Sequence, residues 1–212
     1  MRVAVILNPN ARHGRAGEDE AEAVRTLRDL GVDFTLVKTS RPGDAVSMAR
    51  RAAEQGCDVV CAMGGDGTVN EVINGIAGTG AALAVIPVGT GNDFASALGV
   101  PKGDVAAACR ILARGHRRPM DLCRVNDRFF ASSFGAGFDA RVTKAANERF
   151  KRLGGIWTYI FAVMSVIWSF RPGPMRIVAD GRKISKSPLL VAVTNWKSYG
   201  GGMYICPDAE ID

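Results

Sequence analysis

Met63-Gly64-Gly65-Asp66-Gly67-Thr68-Val69-Asn70-Glu71-Val72-Ile73-Asn74-Gly75 is the stretch on which the reading of this chain turns. Before it, Asp58–Met63 is a short apolar run of strand length. After it, Val69, Val72, Ile73 and Ile76 recur at helical spacing. The glycines therefore sit where a strand turns into a helix. Glycine permits positive φ and close approach of a ligand, and a helix N-terminus offers unpaired N–H groups at the positive end of its dipole. That combination suits a phosphate, and Asp66 adds a carboxylate able to hold Mg²⁺ or accept a proton. Thr68 and Glu71 also match the S/T-x-x-E capping box, a purely structural reading of the same residues. No Gly-Lys-Ser/Thr follows, so this is not a Walker-type loop.

Strand and helix signals alternate on both sides of the turn. Val3–Leu7 reads as a buried strand ended by Asn8-Pro9-Asn10, and Glu18–Leu30 as a helix with acidic residues in its first turn. Asp33–Lys38 is a second strand, and Asp44 is placed to cap a helix running to Gln55 and stopped by Gly56. Ala82–Pro87 is a fourth strand. Such alternation, with near-continuous apolar strands, predicts an α/β fold with a parallel sheet covered on both faces. The fourth strand runs into Pro87-Val88-Gly89-Thr90-Gly91-Asn92-Asp93-Phe94-Ala95, which repeats the order of strand, glycines, hydroxyl, carboxylate and helix. Loops at the carboxyl ends of neighbouring strands share one crevice, so both loops are expected to grip one polyphosphate and its metal. Alone, the second loop also reads as an Asx-type turn with a helix cap.

Beyond Leu98 the character changes. Val105–Arg114 reads as a helix and Gly115-His116-Arg117-Arg118 as a basic turn, with His116 and His13 as exposed loop residues. Asp121–Val125 and Phe129–Phe134 resemble strands paired through Asn126-Asp127. Arg176–Ala179, the Asp180-Gly181 turn and Leu189–Thr194 continue the β signal. The expected domains are thus an α/β domain over 1–118 and an antiparallel one over 119–212, the latter with a helical insertion at about 140–170. In that insertion Arg141–Arg152 is basic and Ile156–Phe170 apolar and aromatic. The apolar run is short of the roughly 20 residues that span a bilayer. It reads equally as a helix lying on a membrane surface or as a cover for the second domain's sheet.

With 47% hydrophobic and 23% charged residues, the composition is that of a globular protein with a real core. Five cysteines, odd in number and without a C-x-x-C pair, read as reduced thiols in a cytosolic protein. Val3–Leu7 is too short for a signal peptide. Residues 1–106 hold 10 Lys/Arg against 13 Asp/Glu, and residues 107–212 hold 17 against 8. A basic second half suits an anionic membrane or substrate. Its cations are not interleaved with aromatics as stacking platforms, which argues against nucleic acid.

Asn8-Pro9, Gly64 to Gly75 and the Gly89-Thr90-Gly91-Asn92-Asp93-Phe94-Ala95 loop resemble the bacterial diacylglycerol kinase-like lipid kinases. These are related to sphingosine kinases and, more distantly, to NAD kinase. Asp121-Leu122, Phe134-Gly135-x-Gly137-Phe138-Asp139 and Gly200-Gly201-Gly202-Met203 also look like that family. The resemblance implies a Rossmann-like N-terminal domain, a β-sandwich domain, and ATP with Mg²⁺ in the cleft between them. It implies ATP contacts from Asn8, Thr39, Gly65, Asp66, Gly67, Thr68, Asn70, Glu71 and Thr90. Gly64, Gly89 and Asn92 complete the two loops. Asp66 is implied near Mg²⁺ and the γ-phosphate, and Asp93 and Asp121 facing the metal or the acceptor. In the first loop glycine comes late, as Gly14 or Gly17. The family pattern continues past the equivalent of Asp212, which implies a truncated chain, an incomplete sandwich and a general base beyond Asp212. The activity implied is transfer of the γ-phosphoryl group of ATP to a hydroxyl of a diacylglycerol-like lipid. The enzyme is then expected to be cytoplasmic and peripheral to the inner face of the membrane, and the exposed strand edges of an incomplete sandwich leave a homodimer open. The alternatives are a soluble-substrate kinase of the NAD kinase type, or a catalytically weak nucleotide- or lipid-binding module.

Overall fold

A computed structural model describes residues 1–11, 16–150, 155–199 and 203–211. His13, Gly14, Lys151, Arg152, Gly200–Gly202 and Asp212 lie outside the described residues. Four parallel strands form the central sheet: β1 (Arg2–Leu7), β2 (Asp33–Lys38), β3 (Val59–Gly64) and β4 (Ala82–Pro87), in the order β2-β1-β3-β4. Its interior strands are apolar wherever both faces are covered: β3 is buried throughout, and β1 from Val3 on, after the exposed Arg2. Helices α1 (Ala16–Asp29) and α5 (Val105–Arg114) pack together, as do α2 (Asp44–Glu54) and α3 (Asp66–Ile76). The short α4 (Asp93–Ala97) follows β4. The α/β class with a parallel sheet, expected from the sequence, is what the chain adopts.

Helices α2 and α3 approach so closely because α3 carries Gly75 at the contact. A Cβ built there would lie 2.5 Å from both the Ala49 Cβ and the Val46 carbonyl oxygen, and 3.1 Å from the Arg50 nitrogen. Two of those three atoms are backbone and cannot swing aside. We therefore expect Gly75→Val to destabilise by about 2–3 kcal/mol through overpacking, which outweighs any gain in helix propensity. Thermal unfolding followed by circular dichroism should show a midpoint lower by roughly 5–10 °C. An unchanged midpoint would show that the helices separate freely at this point.

The chain groups into two compact units, Met1–Ser132 with Thr194–Asp212, and Ser133–Val193. The first contains the sheet and also the hairpin β5 (Cys123–Val125) and β6 (Arg128–Phe130), turned by Asn126 at φ 51°. Asn74 of α3 holds this hairpin: its Nδ2 donates to the Phe129 carbonyl and its Oδ1 accepts the Phe129 N–H, each at 2.9 Å. Ile211 and Trp196 join the core of this unit. The run Phe129–Phe134, read as one strand, is in fact divided. Its first part is β6 and its last two residues open β7 (Ser133–Gly137), which pairs with β10 (Leu190–Thr194).

In the second unit, β8 (Met175–Ala179) and β9 (Arg182–Lys186) form an antiparallel hairpin through Asp180 and Gly181, both at positive φ. The expected basic helix Arg141–Arg152 is instead α6 (Phe138–Ala145) followed by a π-helical turn over Ala146–Phe150. Helix α7 (Gly155–Ile167) packs on them through Ala162 and Val166, against Val142, Ala145 and Ala146. The small residues permit the close approach, and the Arg141 guanidinium sits 5.9 Å from the centre of the Phe170 ring. The short strands β11 (Ser198–Tyr199) and β12 (Met203–Tyr204) pair antiparallel and belong to the first unit.

Candidate functional site

Both glycine loops leave the sheet at the carboxyl ends of adjacent strands, because β3 and β4 pair in parallel with Gly64 opposite Pro87. The Val88 N–H donates to the Gly64 carbonyl at 3.1 Å and extends that pairing into the loops. A Cβ on Gly65 would meet the Gly89 Cα at 3.3 Å, and one on Gly89 would lie 3.0 Å from the Gly65 nitrogen. Glycine is required at Gly89 for the loops to touch, while a side chain at Gly65 would press tightly on the facing backbone.

Asp66 joins the loops chemically. Its Oδ1 accepts the N–H of Phe94 at 3.0 Å, and a Cβ on Gly91 would lie 2.9 Å from its Oδ2. One carboxylate at the start of α3 thus serves the second loop. Asn92 shapes that loop from inside: buried and at φ 54°, it accepts the Gly89 N–H at 3.0 Å and donates to the Gly89 carbonyl at 2.8 Å. The Asn92 side chain is therefore spent on the loop's own backbone, but it turns back to Gly89 and not on to Phe94, so the alternative Asx-type turn is not made: the Phe94 N–H goes to Asp66. Thr90 is exposed, and Asp93 opens α4 with Lys102 Nζ 3.9 Å from its carboxylate.

The capping box is not made. Gly65 caps α3 with no side-chain bond, and Thr68 Oγ1 instead accepts from Asn8 Nδ2 at 3.2 Å, joining the first loop to α3. The Glu71 carboxylate reaches across to the neighbouring helix, accepting the N–H groups of Gly43 at 2.9 Å and Ala45 at 3.2 Å. Glu71 thus caps α2, a role that sequence spacing assigned to Asp44. Asp44 is instead the first residue of α2, and its carboxylate accepts the Ser40 and Arg41 N–H groups of the preceding loop. Those bonds hold its pKa below the ordinary carboxylate value. With Asp44 turned toward the loop, the orphan donors of α2 take the longer Glu71 side chain.

The first loop also lies at this end of the sheet: Asn8 N–H donates to the Met63 carbonyl at 3.0 Å, and buried Thr39 donates its N–H to the Leu7 carbonyl at 2.9 Å. Asn8, Thr39, Gly64, Gly65, Asp66, Thr68, Gly89 and Asn92 therefore sit on the loops at the carboxyl ends of β1 to β4. Gly67 is exposed at the start of α3 with nothing within 4 Å of a Cβ. Asn70, half-buried one helical turn on, accepts through its carbonyl from Asn74 Nδ2 at 2.8 Å. Asp121 lies apart in sequence, exposed before β5, with its carbonyl accepting from Asn195 Nδ2 at 2.7 Å. Asn74, to which sequence reading gave no role, carries the hairpin. Its position on α3 one turn beyond Asn70 was the available signal.

Among the described residues no group of three or more His, Cys, Asp or Glu is arranged to hold a metal. The single carboxylate of Asp66 still fits Mg²⁺, which keeps several waters and is usually held by one or two carboxylates together with substrate phosphates. The cysteines are free thiols, and burial raises Cys61 and pushes Cys109 up to about 11, as expected of inert core residues.

An open α/β sheet with two touching glycine loops and the Asp66 carboxylate at its carboxyl edge is an arrangement suited to a phosphate. The Diacylglycerol kinase catalytic domain family matches residues 2–125, and the YegS C-terminal NAD kinase beta sandwich-like domain family matches 132–212. The chain belongs to the diacylglycerol kinase catalytic-domain family, a family of kinases. It is 33% identical to a diacylglycerol kinase of Bacillus subtilis (strain 168), covering 100% of this chain and 70% of that one. It is 35% identical to a probable lipid kinase YegS-like of Klebsiella pneumoniae (strain 342), covering 90% and 65%. The crystal structure of a diacylglycerol kinase from Bacillus anthracis str. Sterne matches with a TM-score of 0.79 at 32% identity, covering 100% of this chain and 70% of that one. The chain thus spans about 70% of the length of these relatives.

Proposed function

We propose that this chain handles ATP at the two glycine loops and passes its γ-phosphoryl group to a hydroxyl of a diacylglycerol-like lipid. The observation that carries the reading is the loop junction: Asp66 bonded to Phe94 across the glycine contact of Gly65 and Gly89. In this transfer the bond from the γ-phosphorus to the β–γ bridging oxygen breaks, and one from phosphorus to the lipid oxygen forms. ADP leaves and the hydroxyl proton passes to a base. Such chemistry asks for positioning and charge neutralisation more than covalent help. Backbone N–H groups at the N-terminus of α3 face the phosphates, and Asp66 is the residue that would hold Mg²⁺, which neutralises charge on the phosphoryl oxygens. Asp93, beside Asn92 in the second loop, and Asp121 are the carboxylates proposed to face the metal or the acceptor. The relatives are named for lipid substrates, so the NAD kinase type of reading is not favoured. Radiolabelled ATP offered with a lipid panel tests the proposal: labelled phospholipid should form from diacylglycerol and none from NAD. ATP binding without any phosphorylated lipid would sink it.

A lipid substrate would put the protein at a membrane, and we propose α7 as its contact. Trp157 is 59% exposed and Trp168, just past the helix, 82%, with Tyr159, Phe161, Met164 and Ile167 also exposed. No helix among the described residues is long and apolar enough to cross a membrane, so this face is proposed to lie on one. The anionic leaflet is the partner that the charge favours, since residues 133–193 hold 10 Lys/Arg against 3 Asp/Glu. Replacing both Trp157 and Trp168 by Ser should lower cosedimentation with phosphatidylglycerol vesicles at least about tenfold, because buried apolar area and basic charge act together. Unchanged sedimentation would remove α7 from the contact.

A further inference from the structure

A cavity of about 520 Å³ lies within the first unit beside β4, reaching from the start of that strand to Phe94 of α4. It reaches Val59 and Ala82, the first residues of β3 and β4, whereas the loops follow the last residues of those strands. Its walls are apolar: Leu83 and Val85 of β4, Ile73 and Ile76 of α3, and Ile111 and Leu112 of α5. β4 is the edge of the sheet, so the space opens beside it between the helices on the two faces. Its volume is that of a small-molecule site, about 300–1,000 Å³.

The charged side chains of the lining are all basic, and Thr79 adds a neutral hydroxyl. Exposed His116, Arg117 and Arg118, from the turn after α5, line the space, and no Asp or Glu does. An apolar interior with a basic lining on the solvent side selects an amphiphile with an anionic head. A volume of this size holds one acyl chain and not the two of a diacyl lipid. We propose that this cavity binds a single long-chain fatty acid, with the carboxylate at Arg117 and Arg118 and the chain along β4. The site shares only Phe94 with the second glycine loop, and the proposal stands whether or not the chain phosphorylates a lipid.

The test is calorimetric titration of the full chain with palmitate below its micellar concentration, beside hexadecanol of equal chain length. Saturable one-to-one binding of palmitate is expected, with hexadecanol weaker by roughly tenfold or more, the worth of a charge-assisted contact. Arg117→Gln with Arg118→Gln should bring palmitate down to hexadecanol, and because both positions are exposed the variant should melt as the parent does. Ala84→Phe, which fills the cavity from β4, should abolish binding of both. Equal affinity for palmitate and hexadecanol would overturn the proposal, as would non-saturable uptake. Palmitate binding that survives Ala84→Phe would place the chain elsewhere, such as the exposed face of α7. Sedimentation as a dimer that Ala84→Phe converts to monomer would put a second copy's strand in the groove and overturn it equally. Should Ala84→Phe not fold, the arginine pair decides the matter alone.

Discussion

Asp66→Asn should lower phosphoryl transfer by about a thousandfold, the scale of losing one electrostatic stabiliser of the transition state. It should do so without unfolding the protein. The substitution keeps an oxygen where Oδ1 now accepts the Phe94 N–H at 3.0 Å, and keeps nearly the same volume beside Gly91. What it removes is the negative charge that would hold Mg²⁺. Asp66→Ala removes both, and the Phe94 N–H, in a residue only 2% exposed, is left without its acceptor. An unsatisfied buried donor costs about 1–3 kcal/mol, so the alanine variant should also melt lower by roughly 2–10 °C. Comparing the two separates the catalytic part of the carboxylate from its part in joining the loops. Full turnover in Asp66→Asn would remove the charge from the mechanism. Equal melting of the two variants would show that the Phe94 bond carries no stability.

Much of this arrangement was legible in the sequence, for reasons that also explain where legibility ended. The bounds of β2, β4 and α5 follow from apolar residues at strand or helix spacing between glycine and proline breaks, all of them local signals. The meeting of the two loops follows from parallel pairing of adjacent strands, which places their carboxyl ends side by side. The misreadings are residues whose partners lie far along the chain. Glu71 satisfies the capping-box spacing within its own helix, yet its carboxylate binds N–H groups 28 and 26 residues earlier. Spacing reports what a residue is able to reach locally, and tertiary packing offered Glu71 a better pair of donors. Asn74 bonds to Phe129, 55 residues on, for the same reason. The division of Phe129–Phe134 between two units has only a faint local mark, Ser132-Ser133, which the alternation of a half-buried strand also tolerates. The break between α6 and the π-helical turn lies in a run of helix-forming residues that periodicity alone reads as continuous.

Gly67→Val should weaken ATP binding by at least roughly tenfold and leave the fold as stable as before, the opposite balance from a glycine the fold itself needs. Gly89 is of that second kind. A Cβ there meets the backbone of Gly65 and lies 2.7 Å from Asn92 Oδ1, and Asn92 is itself tied at both ends to Gly89. Neither neighbour is free to retreat, so Gly89→Ala should lose stability and binding together. Gly67 has no such tie. It lies in α3, where glycine costs up to about 1 kcal/mol relative to alanine, and no atom within 4 Å of a Cβ forbids a side chain. Packing, strain and capping therefore give no account of glycine at this position, whereas close approach of a phosphate to the first turn of α3 does. Titration with a non-hydrolysable ATP analogue should show affinity falling by at least roughly tenfold in Gly67→Val, the cost of displacing even one charge-assisted contact. Circular dichroism melts should meanwhile coincide with those of the parent. Normal affinity in Gly67→Val would mean that no phosphate lies over this turn, and the reading of both loops as a phosphate clamp would fall with it.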